Sequence, residues 1–340
     1  MPKLHDWEDI ADNFNDTLVL GNGASMAVHH NFGYNSLREV AVKKGYITPA
    51  VQEVFDHLGT MDFELVLNML WHAEHVNRAL GVEEHTTKRA YDEVQEALVR
   101  SVRHVHCEYE IAKPHLPAIY GFMGAFRTVL SLSYDLIAYW AMLTGNEEFG
   151  SRRFKDCFTD GVHLDANWER LREPIGTPET TLVFYPHGNL VLTSSPIEGD
   201  RKVIRTNDSD HLLERILRAW EDGEGFPLFV SEGDWQQKLR AIQRSGYLST
   251  VYSSVMSDLG KTVAVYGWAA KGNDRHILER LLRKKKEAFA VSVHTPTTED
   301  LGRHCRDIET SIEGTASRMR APKPEVLFFD AESAGCWINV

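Results

Sequence analysis

The run Thr17-Leu18-Val19-Leu20-Gly21-Asn22-Gly23-Ala24-Ser25 decides the fold class. A short apolar run that ends at once in Gly-x-Gly reads as a buried strand turning sharply into a helix. Gly21 can take the backbone angles of the turn. Gly23 lets a diphosphate approach the main chain without meeting a Cβ. The N–H groups and positive dipole end of the next helix would then face the phosphates. The stretch therefore predicts a nucleotide pocket near the N-terminus, formed by Gly21, Asn22, Gly23, Ala24 and Ser25. The competing reading is that the glycines serve only helix–strand packing.

Similar short apolar runs recur at 128–132, 181–185, 227–230, 262–266, 288–293 and 326–329, separated by stretches of helical period. Strands alternating with helices predict an α/β fold: a mostly parallel, Rossmann-like sheet with helices on both faces. Right-handed crossovers gather the loops that follow the strands along one edge, where ligands bind. Residues 34–126 read as a large helical insertion after the strand at 17–20. Within it, 61–80 carries Phe63, Val66, Leu67, Leu70 and Trp71 close to the helical period, and 88–112 continues the pattern until Pro114 ends it. Residues 147–178, rich in Gly, Asp and Arg, read as a second, irregular insertion in a single domain spanning 1–340.

The 340 residues, 43% hydrophobic and 25% charged, suffice for a sizeable core. A net charge of −12 argues against a broad nucleic-acid footprint. The basic run Arg283-Lys284-Lys285-Lys286 is expected to close a helix, where positive charge complements the dipole. Residues 1–16 are too polar and acidic for a signal peptide, and the longest apolar candidate, 136–143, is too short for a membrane span. A cytoplasmic protein without a membrane partner is the expectation. Cys107, Cys157, Cys305 and Cys336 form no Cys-x-x-Cys pair, so free thiols and no metal are expected. His72 and His75, beside Glu74, read as a solvated helix face. Gly260-Lys261-Thr262 precedes a strand and has Val255 where a phosphate-binding loop needs glycine. Met26 occupies the third glycine position of a dehydrogenase fingerprint, which disfavours hydride transfer.

Candidate site residues cluster at predicted strand ends. Ser133 and Asp135 follow the strand at 128–132, where either could also cap the next helix. His187-Gly188 follows the strand at 181–185; an imidazole there suits proton transfer near neutral pH. Ser231 follows 227–230, and Gly267-Trp268 follows 262–266, where Gly267 would admit an adenosine ribose. Asp274 is expected to cap the helix that follows. His29-His30, just behind the glycine turn, is a further candidate for the pocket wall.

In this order these segments resemble the sirtuin-like family, silent-information-regulator proteins on a Rossmann-type sheet, and in particular its bacterial branch. Gly21-Asn22-Gly23-Ala24-Ser25 resembles the family's Gly-Ala-Gly-x-Ser loop. Asp62-Phe63-Glu64 followed by Leu67 resembles a segment common in the bacterial branch. His187-Gly188 resembles the catalytic His-Gly pair, and Gly267-Trp268-Ala269 through Asp274-x-His276-Ile277 resembles the late Gly-x-Ser…Asp-x-x-Ile segment. The resemblance implies binding of nicotinamide adenine dinucleotide (NAD) and cleavage of its nicotinamide–ribose bond by water. His187 would be the base, with Ser133 and Asp135 beside it. Bacterial relatives of this architecture act as NAD hydrolases in defence against phage. Ser133 stands where the family usually has Asn, and 189–226 holds none of the cysteines of the deacylases' zinc module. The alternative is a nucleotide-binding sensor or scaffold without turnover. Its signal would pass through a homo-oligomer or a separate partner.

Overall fold

The computed structural model describes residues 3–33, 36–82, 85–149, 153–158, 161–172, 180–195, 198–203, 211–223, 225–230, 233–270, 272–294 and 298–339. Its strands are β1 (Leu4–His5), β2 (Thr17–Leu20), β3 (Thr128–Ser131), β4 (Phe154–Lys155), β5 (Thr181–Phe184), β6 (Gly188–Ser195), β7 (Gly199–Lys202), β8 (Phe226–Phe229), β9 (Thr262–Tyr266), β10 (Ala288–Val293) and β11 (Glu325–Asp330). Eight of them form one sheet in the order β1-β11-β10-β9-β2-β3-β5-β4, with every pairing parallel. The six strands β5-β3-β2-β9-β10-β11 repeat the doubly wound dinucleotide-binding order, and β4 and β1 extend its two edges. The fold is the Rossmann-like α/β architecture that the alternating runs predict. All four residues of β2, β3 and β5 are buried, as strands covered on both faces must be.

From β2 the chain proceeds to β3 on one side, and β9 to β11 occupy the other. The switch point therefore lies between β2 and β9, where the loops after the two strands leave in opposite directions. Helices fill most of the connection from β2 to β3. Asp62 caps the helix Phe63–Ala79 by accepting hydrogen bonds from the Glu64 and Leu65 N–H groups. The next long helix, Thr86–Val105, buries Val94, Leu98, Val102 and Val105 along one face. It ends well before Pro114, because His106 turns to extended backbone. The His106 ring then bridges the Cys107 carbonyl and the Leu136 N–H.

Two sequence expectations change here. The run at 227–230 does not join the parallel sheet. It lies in β8, which pairs with β6 in a separate antiparallel sheet ordered β7-β6-β8. A short apolar run buried on both faces carries no signal for which sheet receives it. Gly188, at φ +78°, lets β6 start directly after His187, and the Val230 N–H donates to the His187 carbonyl at 2.7 Å. Nor does the basic run close a helix. The helix Arg275–Leu281 ends before Arg283, and Lys286 is buried, with its ammonium donating to the Leu259 and Gly260 carbonyls. The irregular stretch 147–178 contributes β4 to the sheet edge.

At the C-terminus, the indole N–H of buried Trp337 donates to the Ala24 carbonyl at 2.8 Å, tying residues 336–339 to the first helix after β2. All four cysteines are free and buried. Among the described residues no helix is long and apolar enough to cross a membrane.

Candidate functional site

The two glycine-bearing loops at the switch point touch each other. The Gly21 N–H donates to the Tyr266 carbonyl at 2.9 Å, and the Gly23 N–H donates to the Gly267 carbonyl at 2.8 Å. A Cβ on Gly21 would lie 2.5 Å from the Gly267 oxygen, and one on Gly23 would lie 2.8 Å from the Gly267 Cα. Gly267 itself sits at φ +68°, with space for a Cβ only 2.2 Å from the Ala24 nitrogen. The three glycines are thus demanded by the crossing of two backbones. The close approach expected of a diphosphate at Gly23 is made by Gly267, and the Gly23 N–H, expected to be free, is already used.

A cavity of about 750 Å³ opens beside this crossing. Gly23, Met26 and Ala27 border it from the first helix, and Tyr266, Gly267 and Trp268 from the end of β9. Ser292, Glu332 and Ile338 close the far side. The Ser292 hydroxyl accepts the Gly267 N–H at 3.0 Å, fixing the loop that carries Trp268. His29 and His30 are not among the lining residues; their rings lie against each other with centroids 4.6 Å apart.

Ser133 and Asp135 form one buried cluster with Ser25, and exposed Asn22 borders it. Asp135 Oδ2 accepts from both Ser133 Oγ and Ser25 Oγ at 2.5 Å, and its Oδ1 accepts the Ile137 N–H at 2.9 Å. Asp135 thereby caps the helix Ile137–Phe149 and ties the loop after β3 to the helix after β2. The Asp135 carbonyl accepts from Asn189 Nδ2 at 2.6 Å. With its proton directed at Asp135, Ser133 has only lone pairs left to offer a ligand. Asn22 donates to the Phe32 carbonyl at 2.8 Å, and its Oδ1 lies 3.4 Å from Ser133 Oγ.

His187 belongs to a second buried cluster. Its Nε2 lies 3.0 Å from His276 Nε2 and 4.0 Å from Asp274 Oδ1. Burial pushes the His187 imidazole well below its ordinary pKa, against the pull of Asp274; Lys238 and His276 add to the depression. A hydrogen bond ties His187 to the Leu132 carbonyl, so its second nitrogen is the donor and Nε2 the acceptor. His276 Nε2–H must then donate across the pair. That leaves His276 Nδ1 buried, with no hydrogen-bond partner among the described residues. Burial holds the His276 pKa down to about 4. Asp274 does not cap its helix. Its Oδ1 accepts from Lys238 Nζ at 2.8 Å and its Oδ2 from Trp268 Nε1 at 3.0 Å. Burial alone would raise this carboxyl, but the facing His187, Lys238 and these hydrogen bonds outweigh it and hold the group low.

His187, Asp274 and His276 have the spacing of a three-ligand metal set. However, both Asp274 oxygens already carry donors, and the Lys238 ammonium stands where a cation would be repelled. Trp268 thus links the cavity wall to the histidine cluster. Gly188 serves packing, since a Cβ there would lie 2.1 Å from the Leu228 oxygen. Ser231 falls outside the described residues.

A third group, Asp62 and Glu64, stands at the start of the helix Phe63–Ala79. Burial raises the Asp62 carboxyl to about 6. Burial also raises Glu64 well above its ordinary range, helped by the charges of Asp62 and Asp200 and opposed by the Phe229 N–H and Arg244. Asp62 borders a small cavity of about 180 Å³ together with Arg240 and Arg244.

Sequence reasoning missed Lys238 altogether, because a lysine on an amphipathic helix reads as solvent-facing; here it is buried against Asp274. The other motifs fall as expected. His72 and His75 are exposed, and His75 stacks on Trp71 with ring centroids 3.8 Å apart. Gly260-Lys261-Thr262 is held by Asp16 Oδ2, which accepts the Lys261 N–H at 2.6 Å and the Thr262 N–H at 3.0 Å, at the opposite end of the sheet from the crevice.

Residues 18–337 match the family described as Domain of unknown function (DUF4917). The chain belongs to this family. The DUF4917 match runs from inside β2 to Trp337, so it takes in both glycine loops, all three polar clusters and the described crevice lining except Ile338 and Asn339, whereas β1 precedes it. No curated protein matches the chain.

Proposed function

We propose that this chain binds NAD in the crevice between the loops after β2 and β9, and that it hydrolyses the nicotinamide–ribose bond. The observation that carries the reading is the cavity of about 750 Å³ at the switch point of a sheet in dinucleotide-binding order. Met26, Trp268 and Ile338 offer an apolar wall for an adenine ring. Hydrolysis would join a water oxygen to the ribose C1′ and break the C1′–N bond. The electron pair returns to the nicotinamide ring and neutralises its positive charge, and the water proton passes to a base. His187 is the neutral imidazole for that proton, and Ser133 can accept a hydrogen bond from the water. Binding energy from the adenosine end would serve the reacting end.

A second reading is binding without turnover. It is favoured by the contact between His187 Nε2 and His276 Nε2 at 3.0 Å, which occupies the lone pair a base must use. Chromatographic assay of released nicotinamide separates the two. We expect release by the wild type and a fall of roughly 10² to 10⁴-fold in His187→Ala, as for loss of a general base. Calorimetric binding of NAD with no release by either protein would replace hydrolysis with the sensing reading. Absence of both binding and release would overturn the proposal.

A further inference from the structure

We infer that Glu332 is the residue that recognises the adenosine ribose diol, and that it makes the crevice selective for NAD over its 2′-phosphorylated form. The inference rests on the binding reading above. Three observations carry it.

First, Glu332 borders the cavity from the loop after β11, and the main chain around it is fixed. The neighbouring Ala331 carbonyl accepts from Tyr266 Oη at 3.0 Å and from Asn339 Nδ2 at 2.9 Å. The Glu332 N–H itself donates to Asp330 Oδ1 at 2.9 Å. A backbone pinned at these points places Glu332 at the cavity mouth and leaves only its side-chain rotamers to be ordered on binding.

Second, the carboxylate is free to receive a ligand. Its side chain keeps 69% of its exposure, and among the described residues it pairs with the equally exposed His294, from Glu332 Oε1 to His294 Nδ1 at 3.0 Å. A carboxylate has two oxygens and accepts only. That matches a vicinal diol, which can donate one proton to each oxygen. A ribose phosphorylated at O2′ has lost one of those donors and gained roughly two negative charges that the carboxylate repels.

Third, the described residues lining the cavity include no lysine or arginine. A pocket that accepts a 2′-phosphate ordinarily supplies an arginine for it. Among the described lining residues Glu332 is the one formally charged side chain, beside His294 and His304. This position differs from the usual acidic residue after the second strand of a dinucleotide fold. That strand corresponds to β3, which ends here in Ser131 and is followed by Ser133.

The test is isothermal titration of the full chain with NAD and with NADP, in the wild type and in Glu332→Gln. Circular dichroism should show equal folding, since the side chain is exposed. We expect the wild type to bind NAD at least tenfold more tightly than NADP. Glu332→Gln should shrink that ratio at least fivefold, mainly by strengthening NADP. Wild type that binds both dinucleotides equally overturns the selectivity and leaves the binding reading standing. A ratio unchanged in Glu332→Gln overturns the assignment to Glu332 and likewise leaves the binding reading standing. Wild type that binds neither overturns both.

Discussion

Two titratable clusters, one buried and one half-buried, meet the same end of β8, and they respond to protons in opposite senses. On one side, the Val230 N–H donates to the His187 carbonyl, and His187, His276, Asp274 and Lys238 form a group kept neutral or paired. On the other, the Phe229 N–H reaches Glu64, beside Asp62 and Asp200, where like charges crowd. In the histidine cluster burial lowers the imidazole pKa values, so the folded state binds fewer protons than the unfolded chain. In the acidic cluster burial and repulsion raise the carboxyl values, so the folded state binds more. The first therefore loses stability as pH falls through the histidine range; the second loses stability as pH rises through the carboxylate range. The difference follows from the groups themselves: burial favours the neutral form of each, which is the deprotonated one for an imidazole and the protonated one for a carboxyl, and Asp274 escapes that rule through Lys238 at 2.8 Å.

The largest effect should come from breaking the pair between Asp274 and Lys238. Asp274→Ala leaves the Lys238 ammonium, 7% exposed, buried without its carboxylate. Such orphaned charges cost about 3–5 kcal/mol. We expect that loss in urea denaturation at pH 7.5. Asp274→Ala combined with Lys238→Met should recover much of it, because no buried charge then remains. A double variant no more stable than the single one would show that the pair matters for its packing and not for its charge.

Next in size is the acid response of the histidines. His276 has a folded value of about 4 against about 6.5 unfolded, so its contribution is complete above pH 6.5 and is lost as pH falls toward 4. The loss from this group should be on the order of 2–3 kcal/mol by pH 4. His276→Gln cannot titrate. Its denaturation midpoint should fall less than that of the wild type between pH 7 and pH 4. Parallel profiles would remove His276 from the acid response and leave the comparison resting on the carboxylates alone.

The contrast also shows what the sequence can reveal. Strands such as β2, β9 and β10 were legible to the residue, because runs buried on both faces are continuous in apolar residues and end in Gly or polar turns. The switch point was legible through Gly21-x-Gly23 and Gly267. What the glycines touch was not, because a glycine reports that something comes close without reporting what. β6 went unread because His187-Gly188 looked like the end of a strand, when the left-handed Gly188 also begins the next one. Asp274 looked like a helix cap from its place in the chain, yet its partners come from residue 238 and from the indole of Trp268. Local patterns carry local hydrogen bonds; partners far apart in sequence leave no periodic trace.

The smallest effect is the most specific to the acidic cluster. Glu64→Gln keeps the shape of the side chain and an oxygen to accept the Phe229 N–H, and it removes the repulsion from Asp62 and Asp200 at the cost of attraction to Arg244. Because the raised value of Glu64 marks the repulsion and burial as the larger side, the variant should be more stable than the wild type wherever the native carboxylate is ionised. At pH 8 we expect a thermal midpoint higher by on the order of a degree or two, the scale of about 1 kcal/mol in a chain of this length. At pH 4.5 the wild-type carboxyl is protonated in the folded state, and the two midpoints should coincide. The acid-side fall of the variant should also be steeper than that of the wild type, since of the two raised carboxyls only Asp62 then offsets the histidines. A variant destabilised equally at both pH values would show that Glu64 acts through hydrogen bonding alone, and the opposition between the two clusters would then reduce to Asp62.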